Sequence, residues 1–301
     1  MSAAPFAYVD PGTLSEVLDL LDRLEDTRLL AGGQSLIPYM QFRMARPAVV
    51  VDLNRVGELA HITDHNGRLE IGAMTRQRAL AESEIIRAQV PIAHEALRLI
   101  GHVATRPRGT LGGSVANLDP SAELIAVTAL HDGVLHVRSV RGERVLGVAD
   151  WARDLLTPAL DPGEMLTRID WAPWPTGHGH AFLEFSKRHH DYAVVAAGAL
   201  MTVDEQGRIT RAAAAVAGVG IIATRLTAAE RLLVGEVGRP ELFAEAARAA
   251  ADLEPLTDTQ ANTGYPRRFV SAGYRRHLGQ VLTRRTLHLA HSRALGQQER
   301  R

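Results

Sequence analysis

Apolar residues recur every three or four positions over residues 13–25, where Leu14, Val17, Leu18, Leu21 and Leu24 draw one stripe and predict a first helix. Short aliphatic runs at 28–31 and 49–53 predict buried strands. Between them Gly32-Gly33 breaks the chain, and 35–44 reads as a helix that ends before Pro47. Leu69 to Ile71, closed by Gly72, predicts another strand. Helical spacing returns through Ile85, Ile86, Val90, Ala93, Ala96, Leu97 and Ile100, with Pro91 dividing 82–100 into two helices. From Leu111 a Gly-Gly turn leads through a small-residue segment into a helix that begins near Ser121, with Glu123 in its first turn. Residues 134–140 and 144–146 form a hairpin around Arg141-Gly142.

The pattern then changes. WAPWPTGHG at 171–179 is rich in Pro and Gly, and the domain boundary is expected there. Beyond it, 193–203 and 209–219 pair as a hairpin across 204–207, followed by helices over 227–234 and 240–253. The second domain reads as a small antiparallel sheet with helices. The alanine runs at 212–215 and 246–251 read as tight packing segments.

Composition narrows the function. A chain of 301 residues has room for about two domains. The balance of 34 basic against 34 acidic residues gives no global field, which disfavours dedicated nucleic-acid binding. With Cys at 0, the chain can neither ligate an iron–sulfur cluster through its own thiolates nor form a disulfide or use a Cys nucleophile, so any redox chemistry must come from a bound cofactor. Residues 1–10 carry no basic leader, and no apolar run spans a bilayer, so a cytoplasmic protein is expected. From Pro266 onward nine Arg face one acid, Glu299; this reads as a solvated helix face, with docking to an acidic partner left open.

Two elements suit a phosphate: Ala31-Gly32-Gly33-Gln34-Ser35-Leu36 and Thr110-Leu111-Gly112-Gly113-Ser114. Each offers consecutive backbone N–H groups without Cβ obstruction, beside a hydroxyl and near a helix start, so a pyrophosphate fits between them; for either alone a plain tight turn is the simpler account. Neither has Walker or GxGxxG spacing. Gly218 to Ala223 does fit GxGxxA, but no acid-tipped parallel strand follows, which argues against a Rossmann unit. The 13 histidines lack metal-ligand spacing, and GxSxG is absent, so metal and serine-hydrolase chemistry are disfavoured. Lys187 is the single lysine beside 33 arginines; codon drift and a role near a polarisable ring are equally good accounts.

AGGQSL at 31–36, IGAMT at 71–75, IGH at 100–102, RPRGTLGGSVANLDPSAEL at 106–124, LDPGEML at 160–166 and FLEFSKRHHDYA at 182–193 recur in one order and spacing. In these the chain resembles, over nearly its whole length, the FAD-binding medium subunits of molybdenum hydroxylases: the carbon monoxide, xanthine and N-heterocycle dehydrogenase family. The resemblance implies an α+β architecture: a two-subdomain FAD-binding fold of the vanillyl-alcohol oxidase (PCMH) type over 1–175, subdivided at about 56, and a carbon monoxide dehydrogenase flavoprotein-like domain over 180–290 with a three-stranded antiparallel sheet and helices.

Carried over residue by residue, the resemblance puts FAD on Ala31, Gly32, Gly33, Gln34, Ser35 and Leu36, on Gly101 and His102, and on Thr110, Gly112, Gly113 and Ser114. It assigns Glu123 to flavin-side hydroxyls, the Leu166 backbone to the isoalloxazine, and Lys187 and Tyr192 to the segment lining the ring. It implies no catalytic residue and no metal on this chain. Two departures stand out. Glu184 lies where the carbon monoxide branch often has Lys, which puts a carbon monoxide substrate in doubt, and Pro107 lies where many relatives have Asn. The implied function is electron transfer from two [2Fe–2S] clusters on a small partner subunit, themselves served by the molybdenum cofactor of a large one, through FAD to an external acceptor, in a dimer of heterotrimers. A nucleotide-binding scaffold without turnover and a self-contained flavin reductase are the competing readings.

Overall fold

A computed structural model describes residues 2–188, 191–261 and 270–298. The N-terminal unit is a small parallel sheet in the order β1 (Ala7–Val9), β3 (Val49–Asp52), β2 (Thr27–Leu30). Helix α1 (Leu14–Arg23) starts at a capping box in which the Thr13 hydroxyl accepts from the Glu16 amide and the Glu16 carboxylate accepts from the Thr13 amide, both at 3.2 Å. Its stripe buries Leu14, Val17 and Leu18 with Val51, Met74 and Met165. Helix α2 (Leu36–Gln41) follows the first glycine pair.

The second sheet runs β4 (Ile62–His65), β5 (Arg68–Gly72), β10 (Met165–Trp171), β6 (Val134–Ser139), β7 (Gly142–Gly147), with every neighbour antiparallel. Strand β4 and helix α3 (Gln77–Glu82) lie outside the sequence pattern because each is short and half exposed. Pro91 divides α4 (Glu84–Gln89) from α5 (Pro91–Leu99), as its missing N–H requires. The expected turn at Gly112-Gly113 is instead the first turn of helix α6 (Leu111–Asn117): Thr110 caps it, accepting from the Gly113 amide at 3.0 Å, and left-handed Leu118 (φ +53°) ends it. Helix α7 (Glu123–Leu130) follows, and a small hairpin of β8 (Ala152–Asp154) and β9 (Thr157–Pro158) closes this half.

The third sheet is antiparallel, β11 (Gly179–Ser186), β12 (Ala193–Val203), β13 (Ile209–Ala217) and the two-residue β14 (Thr224–Arg225), one short strand more than expected. Its two faces divide by alternation. Phe182, Ala196, Leu200, Ala213 and Ala215 join the core around α5 and α7, whereas Ala181, Val195, Ala197, Ala214 and Val216 join a second core with α8 (Thr227–Leu233), α9 (Pro240–Ala246) and, after the short α10 (Asp258–Ala261), the long α11 (Ala272–Gln298). Helix α7 is thus sandwiched between two sheets, and all its residues from Leu124 to Leu130 are buried. The alanine-rich strands permit this close layering: a Cβ on Gly198 would stand 2.6 Å from Leu130 Cδ1.

The arginine-rich end is not simply a solvated face. On α11, Arg276, Arg284 and Arg285 are exposed, but Arg275 is buried and donates to the carbonyls of Val194 (2.7 Å) and Gly218 (3.1 Å). Arg293 pairs with Glu95 at 2.6 Å. Arg267, Arg268, Arg300 and Arg301 lie outside the described residues. Gly218 (φ +84°) closes β13 against the Val194 backbone and opens no helix, so the GxGxxA match is a strand end. Among the described residues, no helix is long and apolar enough to cross a membrane.

Candidate functional site

The first glycine loop leaves β2 half-buried. Among the described residues, the backbone N–H groups of Gly32, Gly33, Gln34 and Ser35 find no acceptor in the chain, although Gly33 and Ser35 offer their carbonyls to the amides of Ile37 and Tyr39 at 3.1 Å. Gln34 steadies the turn by donating its side-chain amide to the Gly32 carbonyl at 2.9 Å. Gly33 has φ +72°, a conformation that costs glycine nothing and other residues about 1–2 kcal/mol. Successive backbone donors without acceptors, one of them at a residue in the left-handed region, are the ingredients of an anion-binding nest.

The second loop is built differently. Leu111 donates to the Thr75 carbonyl (3.0 Å), Gly112 to the Ala73 carbonyl (2.9 Å), Gly113 to the Thr110 hydroxyl (3.0 Å) and Ser114 to the Thr110 carbonyl (3.1 Å). Its amides are already used, so it offers the half-buried Ser114 hydroxyl and a close backbone surface instead. The two loops touch: a Cβ on Gly32 would strike the Arg108 carbonyl, and one on Gly113 would stand 3.4 Å from the Ala31 Cβ.

A clamp that the sequence does not announce holds them in register. Asn54 donates to the Ala31 carbonyl at 3.2 Å, and Arg76, half-buried, gives one guanidinium N–H to Asn54 and another to the Arg108 carbonyl. Burial lowers the Arg76 pKa from its ordinary value, with the nearby Arg108 adding to the effect. The only sequence signal is that Arg76 directly follows the IGAMT motif. Strand β10 joins the same assembly: Ala73 donates to Thr167 at 2.9 Å beside a bulge after Leu166, whose side chain is buried in the core. Gly101 (φ +46°) and exposed His102 sit on the loop that leads toward Arg108.

The remaining predicted residues gather at the junction of α7 and β11. Glu123 opens α7, and the Glu184 charge on β11 acts on its carboxyl. Burial pushes both carboxyls above the ordinary range, and the facing Glu184 and nearby Asp119 charges push Glu123 further. Three residues beyond Glu184, Lys187 is exposed at the end of β11, and exposed Tyr192 precedes β12; His189 and His190 lie outside the described residues.

Residues 4–171 match the family model described as the FAD binding domain in molybdopterin dehydrogenase, and residues 180–290 match the CO dehydrogenase flavoprotein C-terminal domain. The chain belongs to this family. It is similar to the 6-hydroxypseudooxynicotine dehydrogenase complex subunit alpha of Paenarthrobacter nicotinovorans, 37% identical over 94% of this chain and 97% of the relative. It is likewise similar to the carbon monoxide dehydrogenase medium chain of Afipia carboxidovorans, 34% identical over 98% and 99%. Among solved structures, quinoline 2-oxidoreductase from Pseudomonas putida 86 superposes with a TM-score of 0.89 and 33% identity, covering 98% of this chain and 100% of that one.

Membership makes this chain an FAD-dependent oxidoreductase subunit of the molybdenum hydroxylase class, with the mixed α/β fold expected. The residues present suit FAD on independent grounds. A row of unsatisfied amides matches a pyrophosphate, and the glycine loops keep the backbone open to it.

Proposed function

We propose that this chain holds FAD between its two glycine loops and the α7–β11 junction and relays electrons within a larger complex. The electrons come from two [2Fe–2S] clusters on a small partner subunit, supplied in turn by the molybdenum cofactor of a large subunit, and leave for an external acceptor. The assembly is a dimer of heterotrimers in the cytoplasm. The amide row at Gly32 to Ser35 carries the reading, because it is a charge-complementary feature with no structural use of its own. FAD, when bound, supplies two-electron redox chemistry, and the protein supplies position and electrostatics.

In this arrangement the Gly32–Ser35 amides and the Ser114 hydroxyl hold the pyrophosphate, Glu123 meets the flavin-side hydroxyls, and the Leu166 backbone with Lys187 and Tyr192 borders the ring. The absence of Cys leaves the clusters to a partner. The relatives are named for 6-hydroxypseudooxynicotine and quinoline, both built on a pyridine ring, and for carbon monoxide, a diatomic gas unrelated to either, yet each aligns with this chain over nearly its full length. Shared architecture across unrelated substrates supports a relay, with substrate recognition on another chain. Co-expression with the neighbouring reading frames should return a complex with a Mo-cofactor chain and a Cys-rich chain. Acid precipitation should release FAD, identified by chromatography. A colourless protein that takes up no FAD would sink the assignment, and a lone chain with full turnover would favour the self-contained reductase.

A further inference from the structure

Strand β10 carries one residue more than its β6 partner, and that residue stands beneath the second glycine loop. Against β6 the register pairs Ile169 with Leu135, Arg168 with His136 and then Leu166 with Val137, so Thr167 is the extra residue of a bulge. Against β5, Arg168 pairs with Gly72, and the Ala73 amide continues that ladder by donating to the Thr167 carbonyl at 2.9 Å. The Thr167 side chain is buried, and its hydroxyl donates to the His136 carbonyl at 3.1 Å, tying the bulge to β6.

The bulge decides which core each neighbour enters. Leu166 joins the core around α5 and α7, whereas Met165 joins the core of the N-terminal unit with Val51 and Met74. Because strand side chains alternate, a β10 without the extra residue would exchange the faces of Met165 and Leu166. Ala31, the first residue of the first glycine loop, packs on the Met165 core. The second loop rests on Ala73: its carbonyl accepts from the Gly112 amide at 2.9 Å, and a Cβ on Gly112 would stand 2.5 Å from the Ala73 Cβ. Three consecutive residues of β10 thus bear on both loops, Met165 through a core and Thr167 through Ala73.

We propose that Thr167 is a positioning residue for the cofactor: its hydroxyl holds the β10 bulge, and the bulge sets Ala73 and Gly112 in register with the first glycine loop. The consequence for FAD rests on the cofactor reading above, while the register itself belongs to the chain alone. A hydroxyl is the working part. Valine has nearly the same shape but donates nothing to the His136 carbonyl, whereas serine keeps the donor and gives up a methyl group.

Amide hydrogen exchange on the flavin-free full chain, followed by FAD titration, tests this. In Thr167→Val the Ala73 and Gly112 amides should exchange about tenfold faster than in the wild type, with α11 unaltered, and in Thr167→Ser they should return to wild-type protection. FAD affinity should follow the same order, about tenfold weaker in Thr167→Val and restored in Thr167→Ser. Thr167→Ala replaces Thr167→Val if the latter does not fold. Unchanged exchange at Ala73 and Gly112, exchange that quickens evenly along the chain, or a Thr167→Ser variant as impaired as Thr167→Val overturns the hold of the hydroxyl on the register. Wild-type FAD affinity in Thr167→Val overturns the positioning role. A wild type that takes up no FAD refutes the cofactor reading instead, and the exchange rates still decide whether Thr167 sets the register.

Discussion

Gly32 lies flush against Arg108: a Cβ on Gly32 would collide with the Arg108 carbonyl, so the first glycine of one loop is the seat on which the approach to the other rests. Gly112 is pressed in the same way against Ala73. These glycines are required by the chain's own backbone before any ligand arrives.

Gly32→Ala should therefore lower the melting temperature and the bound FAD together, because the only relief is separation of the loops. Gly113→Ala should be milder. Its Cβ would meet chiefly the Thr110 hydroxyl at 2.7 Å, a side chain that can rotate, so the loss is that of a helix cap, about 1 kcal/mol. Thermal melts and flavin-to-protein ratios of both variants check the ordering; equal damage would contradict it.

Arg76→Lys should keep the fold but loosen the register between the loops. A lysine cannot span Asn54 and the Arg108 carbonyl with one planar fork, and FAD affinity should fall by roughly tenfold. Titration of the flavin-free variant with FAD measures this, and wild-type affinity would remove Arg76 from the clamp.

Acid should destabilise the protein well above the carboxylate range. Burial pushes His131 down to about 3 and His180 down to about 4, and it lowers His178 as well. The unfolded chain binds these protons near pH 6.5 while the folded one refuses them, so the stabilisation present above pH 6.5 is lost as the pH falls toward 4. Denaturant midpoints between pH 4 and 7 should decline in the wild type and decline less steeply in His180→Gln; parallel slopes would exclude His180 from the effect.

Gly179→Ala should separate β11 from α11, since its Cβ would strike the Ala290 carbonyl and approach the Ala294 amide at 2.5 Å. Overpacking against helix backbone costs about 1–3 kcal/mol, read as a clear drop in melting temperature. An unaltered melt would show that the helix can slide.

Much of this molecule is local and was therefore legible in the chain. The leucine stripe of α1, the division at Pro91, the β6–β7 and β12–β13 hairpins and the alanine strands follow from spacing and turn chemistry, and the ordered motifs from AGGQSL to FLEFSKRHHDYA named the family. What each glycine does was not legible, because it depends on partners far away in sequence. The Gly32 to Ser35 amides lack acceptors, whereas those from Leu111 to Ser114 are satisfied by Ala73, Thr75 and Thr110, so two similar strings became a cradle and a capped helix. The same holds for Arg76, which reaches residues 22 and 32 positions away. It holds for Arg275 too, which composition placed on a solvated face and two distant carbonyls hold in the interior. Periodicity reports which side of an element is apolar. Whether a polar group is satisfied or left free is settled only when the layers close, since that depends on every acceptor the fold brings within reach.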